Sequence, residues 1–193
     1  MRIEVVTPAD SELVSLADAK AYLRVDHAAD DALIARFIKA SIRACEAKTQ
    51  RTLLTTTLKA WYDASDTAGK GFDALALPVV LPRGPASSVT EVEVFDDGGV
   101  ATVASADTYR QAGDRLLPRT GFPSLATYRD AMAVTYVAGY SEGNVPDDII
   151  QAVLVTLADL YEHRTTAVVG TVAARIPSAA SGLLQSYVNY AFG

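Results

Sequence analysis

Between Asp31 and Arg51 the side chains that avoid water recur at Leu33, Ile34, Phe37, Ile38, Ser41, Ile42 and Cys45. The i, i+1, i+4, i+5 order has the helical period, and Arg36, Lys39 and Arg43 fall on the opposite side. An apolar stripe this wide cannot stay in water, so a second and a third apolar face must cover it. One is offered upstream, where Ser15 stands three residues before Asp18 as a helix cap. Leu16, Ala19 and Leu23 then share one face. The cluster from Asp26 to Asp31 ends that short helix and starts the longer one. Another is offered near the far end. There Pro146 suits a first helical position, and Asp147 and Asp148 complement the N-terminal dipole. Ile149, Val153, Leu157, Leu160 and Tyr161 make its stripe, and His163 and Arg164 suit its C-terminal end.

The middle of the chain has a different period. Thr55–Tyr62 is β-branched and aromatic, and from Val89 to Phe95 the residues alternate, Val92 and Val94 on one face and Glu91 and Glu93 on the other. Asp96-Asp97-Gly98-Gly99 follows directly, a strong hairpin signal that makes Ala101–Val103 the return strand. Tyr109–Gln111, Arg115–Leu117 and Met132–Ala138 read as further short strands. Pro78, Pro82, Pro85, Pro118 and Pro123 punctuate the region and are expected to confine several strands to edges. The fold class is therefore α+β. A small helical bundle over 1–52 and 139–166 carries a β-rich insertion over 53–138, with a tail over 167–193.

That tail is unusual. From Thr165 onward Arg175 is the one charge, in a stretch rich in Ala, Gly and Ser. Leu183, Leu184, Tyr187 and Val188 fall at helical spacing, with Tyr190 and Phe192 just beyond. The spacing predicts a docking arm that fills a groove on a partner; folding back onto the chain's own core is the other reading.

Composition narrows the chemistry. Seventeen Lys and Arg against twenty-three Asp and Glu give a net charge of −6 over 193 residues. By region the chain is balanced to Thr52, −3 from Leu53 to Ala138 and −3 beyond, so no basic face for gripping phosphate is concentrated anywhere. Cys45 is the only cysteine and lies on the apolar stripe, which argues for a core thiol rather than a nucleophile. His27 and His163 have no partner at metal-binding spacing, so no metal and no other cofactor is expected. Gly69-Lys70-Gly71 lacks the rest of a phosphate loop, and Gly139 to Gly143 lacks the dinucleotide fingerprint. The pairs Asp30-Asp31, Asp96-Asp97 and Asp147-Asp148 are explained by a cap, a turn and a dipole. No catalytic residue is expected. The first ten residues do not form a signal peptide, and no run approaches the roughly 18 apolar residues that span a bilayer. A soluble protein made in a cytoplasm is expected, with no membrane partner.

Several joints taken together carry a resemblance. Leu16-Ala17-Asp18-Ala19-Lys20-Ala21-Tyr22-Leu23-Arg24-Val25, then Asp30-Asp31-Ala32-Leu33-Ile34, form the opening. Glu46-Ala47-Lys48-Thr49-Gln50-Arg51-Thr52-Leu53 closes the second helix, and Leu81-Pro82-Arg83-Gly84-Pro85 with Val89 precedes a strand. Val134-Thr135-Tyr136-Val137-Ala138-Gly139-Tyr140, Val145-Pro146 and Leu160-Tyr161-Glu162-His163-Arg164 complete the order. Over residues 14 to 164 the chain resembles head–tail connector (adaptor) proteins of long-tailed double-stranded DNA phages and gene transfer agents. It is most similar to the longer branch with a β-rich insertion. It departs at the tail, where Val188 stands in place of an Arg that often follows the Tyr.

The resemblance implies a structural virion protein at the head–tail interface, made in a bacterial host. It implies a ring, commonly of twelve subunits, under the portal protein, with the next connector or tail-completion protein on the other side. DNA would pass through the lumen without sequence-specific binding. Ring contacts are then expected at Asp96, Asp97, Gly98 and Gly99. Partner contacts are expected at Leu183, Leu184, Tyr187, Val188, Tyr190 and Phe192. The competing readings are a DNA-packaging accessory or small nucleic-acid-binding module, which would need clustered Lys and Arg, and an enzyme with an unrecognised site.

Overall fold

A computed structural model of the chain describes residues 1–63, 78–119, 129–163 and 176–189. Pro123, Arg164, Arg175, Tyr190, Phe192 and the Gly69-Lys70-Gly71 segment lie outside them. The chain divides into two compact units, one of Met1–Asp10 with Thr55–Gly139 and one of Ser11–Leu54 with Tyr140–Gly193.

The first unit is built of strands. Its main sheet has the order β1-β2-β8-β4-β5, every neighbouring pair antiparallel. These strands are β1 (Arg2–Thr7), β2 (Thr56–Tyr62), β4 (Ala86–Phe95), β5 (Ala101–Val103) and β8 (Met132–Ala138). A smaller sheet, in the order β3-β7-β6, joins β3 (Val79–Val80), β6 (Tyr109–Ala112) and β7 (Arg115–Pro118). The period-two pattern explains the core. Leu58, Ala60 and Tyr62 of β2, Val92 and Val94 of β4, and Met132, Val134 and Tyr136 of β8 point to one side and are buried. Val79, Leu81 and Leu116 from the smaller sheet and its approach fill the same cluster.

Two expectations change here. Met1–Asp10, grouped above with the helices, belongs to the β unit, because Arg2–Thr7 pairs along β2. Its period was hidden because Val5 and Val6 are adjacent and both exposed, leaving no in–out alternation to read. The prolines do not all mark edges either. Pro118 ends β7, the central strand of the smaller sheet, opposite Tyr109. A proline at a strand end removes one donor and leaves the rest of the ladder intact.

The proline-rich joint before β4 is held by Asp114, Tyr136 and Gly139. Asp114 Oδ1 accepts from the Ala86 amide at 2.7 Å, and the Asp114 carbonyl accepts from the Leu81 amide at 2.8 Å. A Cβ on Gly84 would lie 2.3 Å from that carboxylate, so only glycine fits. The buried Tyr136 hydroxyl donates to the Pro82 carbonyl, and the Gly139 amide donates to Pro85 at 2.9 Å.

The second unit is helical, with α1 (Leu16–Leu23), α2 (Asp31–Thr49), α3 (Asp147–Glu162) and α4 (Ser178–Leu184). Ser15 caps α1 as expected, accepting from the Asp18 amide at 3.1 Å while its hydroxyl donates to the Asp18 carboxylate at 2.6 Å. Ile34, Ile38, Ser41, Cys45 and Thr49 form the buried face of α2, and Ile149, Ala152, Val153, Thr156 and Leu157 that of α3. Phe37 and Ile42 pack against this cluster half-buried, and Leu160 is half-buried. The buried hydroxyls of Ser41, Thr49 and Thr156 each donate to a carbonyl four residues back at 2.8 Å, so none is stranded in the apolar interface.

Both N-terminal helices end on a non-glycine residue in the left-handed region, Arg24 at φ 57° and Gln50 at φ 53°. The amides that follow return to carbonyls of the last turn. Pro146 sits one residue before its expected place. Its ψ of 137° is extended, and its carbonyl accepts the first helical bonds from Ile149 and Ile150.

Candidate assembly surfaces

In the β unit the Asp96–Gly99 turn is built by Asp96. Its Oδ1 accepts from the Gly98 and Val100 amides, both at 2.9 Å, and its carbonyl accepts from the Gly99 amide at 2.9 Å. Gly99 has φ 79°, which a side chain rarely tolerates. Asp96, Asp97, Gly98, Gly99 and Val100 are all exposed, so the hairpin tip is available to a neighbour.

The face of the main sheet away from its core was not anticipated as a unit. Trp61 stacks on Phe95 with ring centroids 5.6 Å apart, and the Arg2 guanidinium and Lys59 ammonium each lie 4.8 Å from the Trp61 ring. Lys59 of β2 also pairs with Glu93 of β4 across the intervening β8. Residue types alone placed Glu91 and Glu93 on an outer face; the cation that answers Glu93 is sequence-distant, and strand order brings it there.

In the helical unit the tail does not stand free. Ala180 and Leu184 are fully buried in the cluster made by α2 and α3, and Leu183 and Tyr187 pack against it half-buried. Leu184, expected among the docking residues, is fully buried within the chain's own helical unit. An uncharged segment gains more by covering the α2 and α3 stripes than by waiting in water. Arg51 Nε donates to the Tyr187 carbonyl at 2.6 Å, and the Asn189 amide donates to the Thr49 carbonyl at 2.9 Å. Val188 is half-buried, and Tyr190 and Phe192 lie outside the described residues.

Three carboxylates of the two helix-starting acidic pairs make tertiary contacts. Asp30 stands at the N-cap of α2 but makes no capping bond; its carboxylate accepts from the Tyr161 hydroxyl at 2.6 Å. Asp31 binds Lys20 at 2.6 Å, joining α1 to α2, and Asp148 accepts from Tyr187 at 3.3 Å. Burial pushes the Cys45 thiol up to about 11, the first cause being desolvation, with Thr156 lowering it and Glu46 adding a smaller rise. Among the described residues no three His, Cys, Asp or Glu side chains gather into a metal-holding group, and no helix is long and apolar enough to cross a membrane.

Comparison with curated protein sequences gives no match. Among solved structures the fold is shared with a chain of the virion of a native gene transfer agent (GTA) particle, at a TM-score of 0.75 and 24% identity, covering 98% of this chain and 96% of that one. A chain in the neck of an empty GTA particle computed with C6 symmetry gives 0.74 and 23%, with the same coverage. One in the neck of a native GTA particle computed with C12 symmetry gives 0.72 and 24%, again with that coverage. The family model described as Head completion protein matches residues 12–173, across both units. Because that match spans most of the chain, the chain belongs to the head completion protein family, with a structural role as a head–tail connector.

Proposed function

We propose that the protein forms a ring beneath the portal, joins capsid to tail, and lets DNA pass through its lumen unread. The observation that carries this is the family match over residues 12–173, supported by a fold shared along 98% of the chain with a component of GTA necks. In this reading twelve copies make the ring, matching the C12 symmetry with which one such neck was computed. The portal lies on one side and the next connector or tail-completion protein on the other. A net charge of −6 suits a channel wall that must not hold phosphates. The protein works in the virion, is made in the bacterial host and needs no cofactor.

The Asp96–Gly99 tip reaches a ring neighbour. The tail, through the half-buried Leu183, Tyr187 and Val188, faces the portal, and Tyr190 and Phe192, outside the described residues, belong to the same proposed contact. The test is the mass of the purified chain over a concentration series, with and without portal rings of the same particle. The chain is expected to add to the portal as a complete ring; no association at any concentration would refute the reading. Deleting Asp97-Gly98-Gly99 should abolish rings while circular dichroism stays unchanged, and intact rings would exclude the hairpin from the contact.

A further inference from the structure

We infer that the outward face of α2 is a basic docking strip for a second copy of this chain, and that the acidic face of the neighbour's α3 lies against it. This rests on the ring reading above and names a contact in the helical unit. Arg36, Lys39 and Arg43 are all exposed and follow one another at i, i+3 and i+7, on the side of α2 opposite its buried row of Ile34, Ile38 and Cys45. Regional charge hides them, because acids elsewhere in the first 52 residues balance their cations. Among the described residues none of the three makes an ion pair or a side-chain hydrogen bond. The carboxylate within a turn of them, Glu46, accepts from the Leu53 amide at 2.9 Å instead. Like charges at this spacing repel one another along a helix, so the strip does nothing for the free subunit's own α2.

The segment around α3 carries the opposite sign. From Glu142 to Glu162 every charged side chain is acidic. Asp148 is bonded to Tyr187 and Asp159 lies 3.3 Å from His163 Nδ1. Glu142, Asp147 and Glu162 are exposed, with no ion pair or side-chain hydrogen bond among the described residues. α2 and α3 bury Ile34, Ile38, Ile149 and Leu157 in one shared cluster, so their charged faces are turned away from the seam between them. The strip therefore meets the α3 carboxylates of another copy, not its own. A ring contact is heterologous and needs two different, complementary faces on every subunit, which this placement supplies. Phosphate is the other anion such a strip could take. A chain of net charge −6 repels a polyanion on approach, and three cations on two turns of helix are few against that. Each exposed ion pair is weak alone, and the closed ring gathers strength from repetition.

The test uses the full chain, alone and with portal rings of the same particle. Arg36→Glu, Lys39→Glu and Arg43→Glu together should raise the concentration needed for assembly by about tenfold or more, with thermal denaturation as in the parent chain. Glu142→Lys, Asp147→Lys and Glu162→Lys together should do the same. Mixed in equal amounts, the two variants should recover rings in which they alternate, since each supplies the face that the other lacks, and native mass measurement reads the composition. Assembly of the first variant at the parent's concentration overturns the strip, and a mixture that stays unassembled overturns α3 as its partner. If the reversed helix melts early, Arg36→Gln, Lys39→Gln and Arg43→Gln together replace it and should remove most of the salt dependence of assembly; salt dependence equal to the parent's overturns the strip. Short duplex DNA, titrated with the parent and the first variant, tests phosphate as the occupant. Binding by the parent that the variant loses overturns the protein contact. A parent chain that stays monomeric at every concentration and ignores the portal overturns the ring reading itself, and the contact with it.

Discussion

Arg51 and Tyr187 stand 136 residues apart, and Nε of the first donates to the carbonyl of the second at 2.6 Å. With the Asn189–Thr49 backbone bond at 2.9 Å, this fastens the tail to the C-terminal end of α2. The tail is thereby part of the helical core, since Ala180 and Leu184 are both fully buried there.

Truncation after Ile176 should destabilise the subunit. Leu184→Ala alone removes a fully buried leucine and is expected to cost about 2–5 kcal/mol. Thermal denaturation of both variants checks this. An unchanged melting temperature on truncation would mean that the tail contributes nothing to the core.

Leu157 lies on α3 in the middle of the same cluster and is fully buried. Leu157→Ala should lose about 2–5 kcal/mol, and Leu157→Asp, which leaves an unpaired charge inside, should lose more. Urea titration with a common slope would measure the difference. Equal midpoints for parent and Leu157→Asp would show that the stripe is not packed.

Gly84→Ala should destabilise the β unit although the residue carries no side chain and lies outside every strand. The added Cβ meets the Asp114 carboxylate at 2.3 Å, and that carboxylate cannot retreat without releasing the Ala86 amide. An overpacking cost of about 1–3 kcal/mol is expected. Ala at Gly98, where the closest contact is 3.3 Å from Asp96, is the milder control in the same unit.

Stability should fall in alkali through Cys45. The folded thiol is raised from 9.0 to about 11 by burial, so the proton is held more tightly folded than unfolded. Below pH 9 both states carry it and the full stability is present. Between pH 9 and 11 the unfolded thiol ionises first and draws the equilibrium toward unfolding, a loss of roughly 2–3 kcal/mol in all. Cys45→Ala should lack this component when denaturation is followed across that window. In the folded parent chain the thiol should also stay silent to a thiol reagent at pH 8 until denaturant is added.

Local pattern by itself determined most of the elements. The 3.6-residue stripe from Leu33 to Cys45, the Ser15 cap, the alternation of Val92 and Val94 with Glu91 and Glu93, and the Asp96–Gly99 turn are set by neighbours in sequence. Each forms where its period says it will. What sequence period cannot carry is which distant partner a residue meets. The edge strand β1 takes its structure from the β2 ladder rather than from its own Val5 and Val6, and so it joined the β unit unannounced. Asp30, Asp31 and Asp148 read as end-of-helix charges, yet they answer Tyr161, Lys20 and Tyr187, groups that only packing brings within reach. The apolar spacing of Leu183, Leu184 and Tyr187 is equally consistent with a partner's groove and with the chain's own core. Tertiary structure chose the core for Leu184, because the α2 and α3 stripes already offered it a surface to cover at no cost in bringing a second molecule.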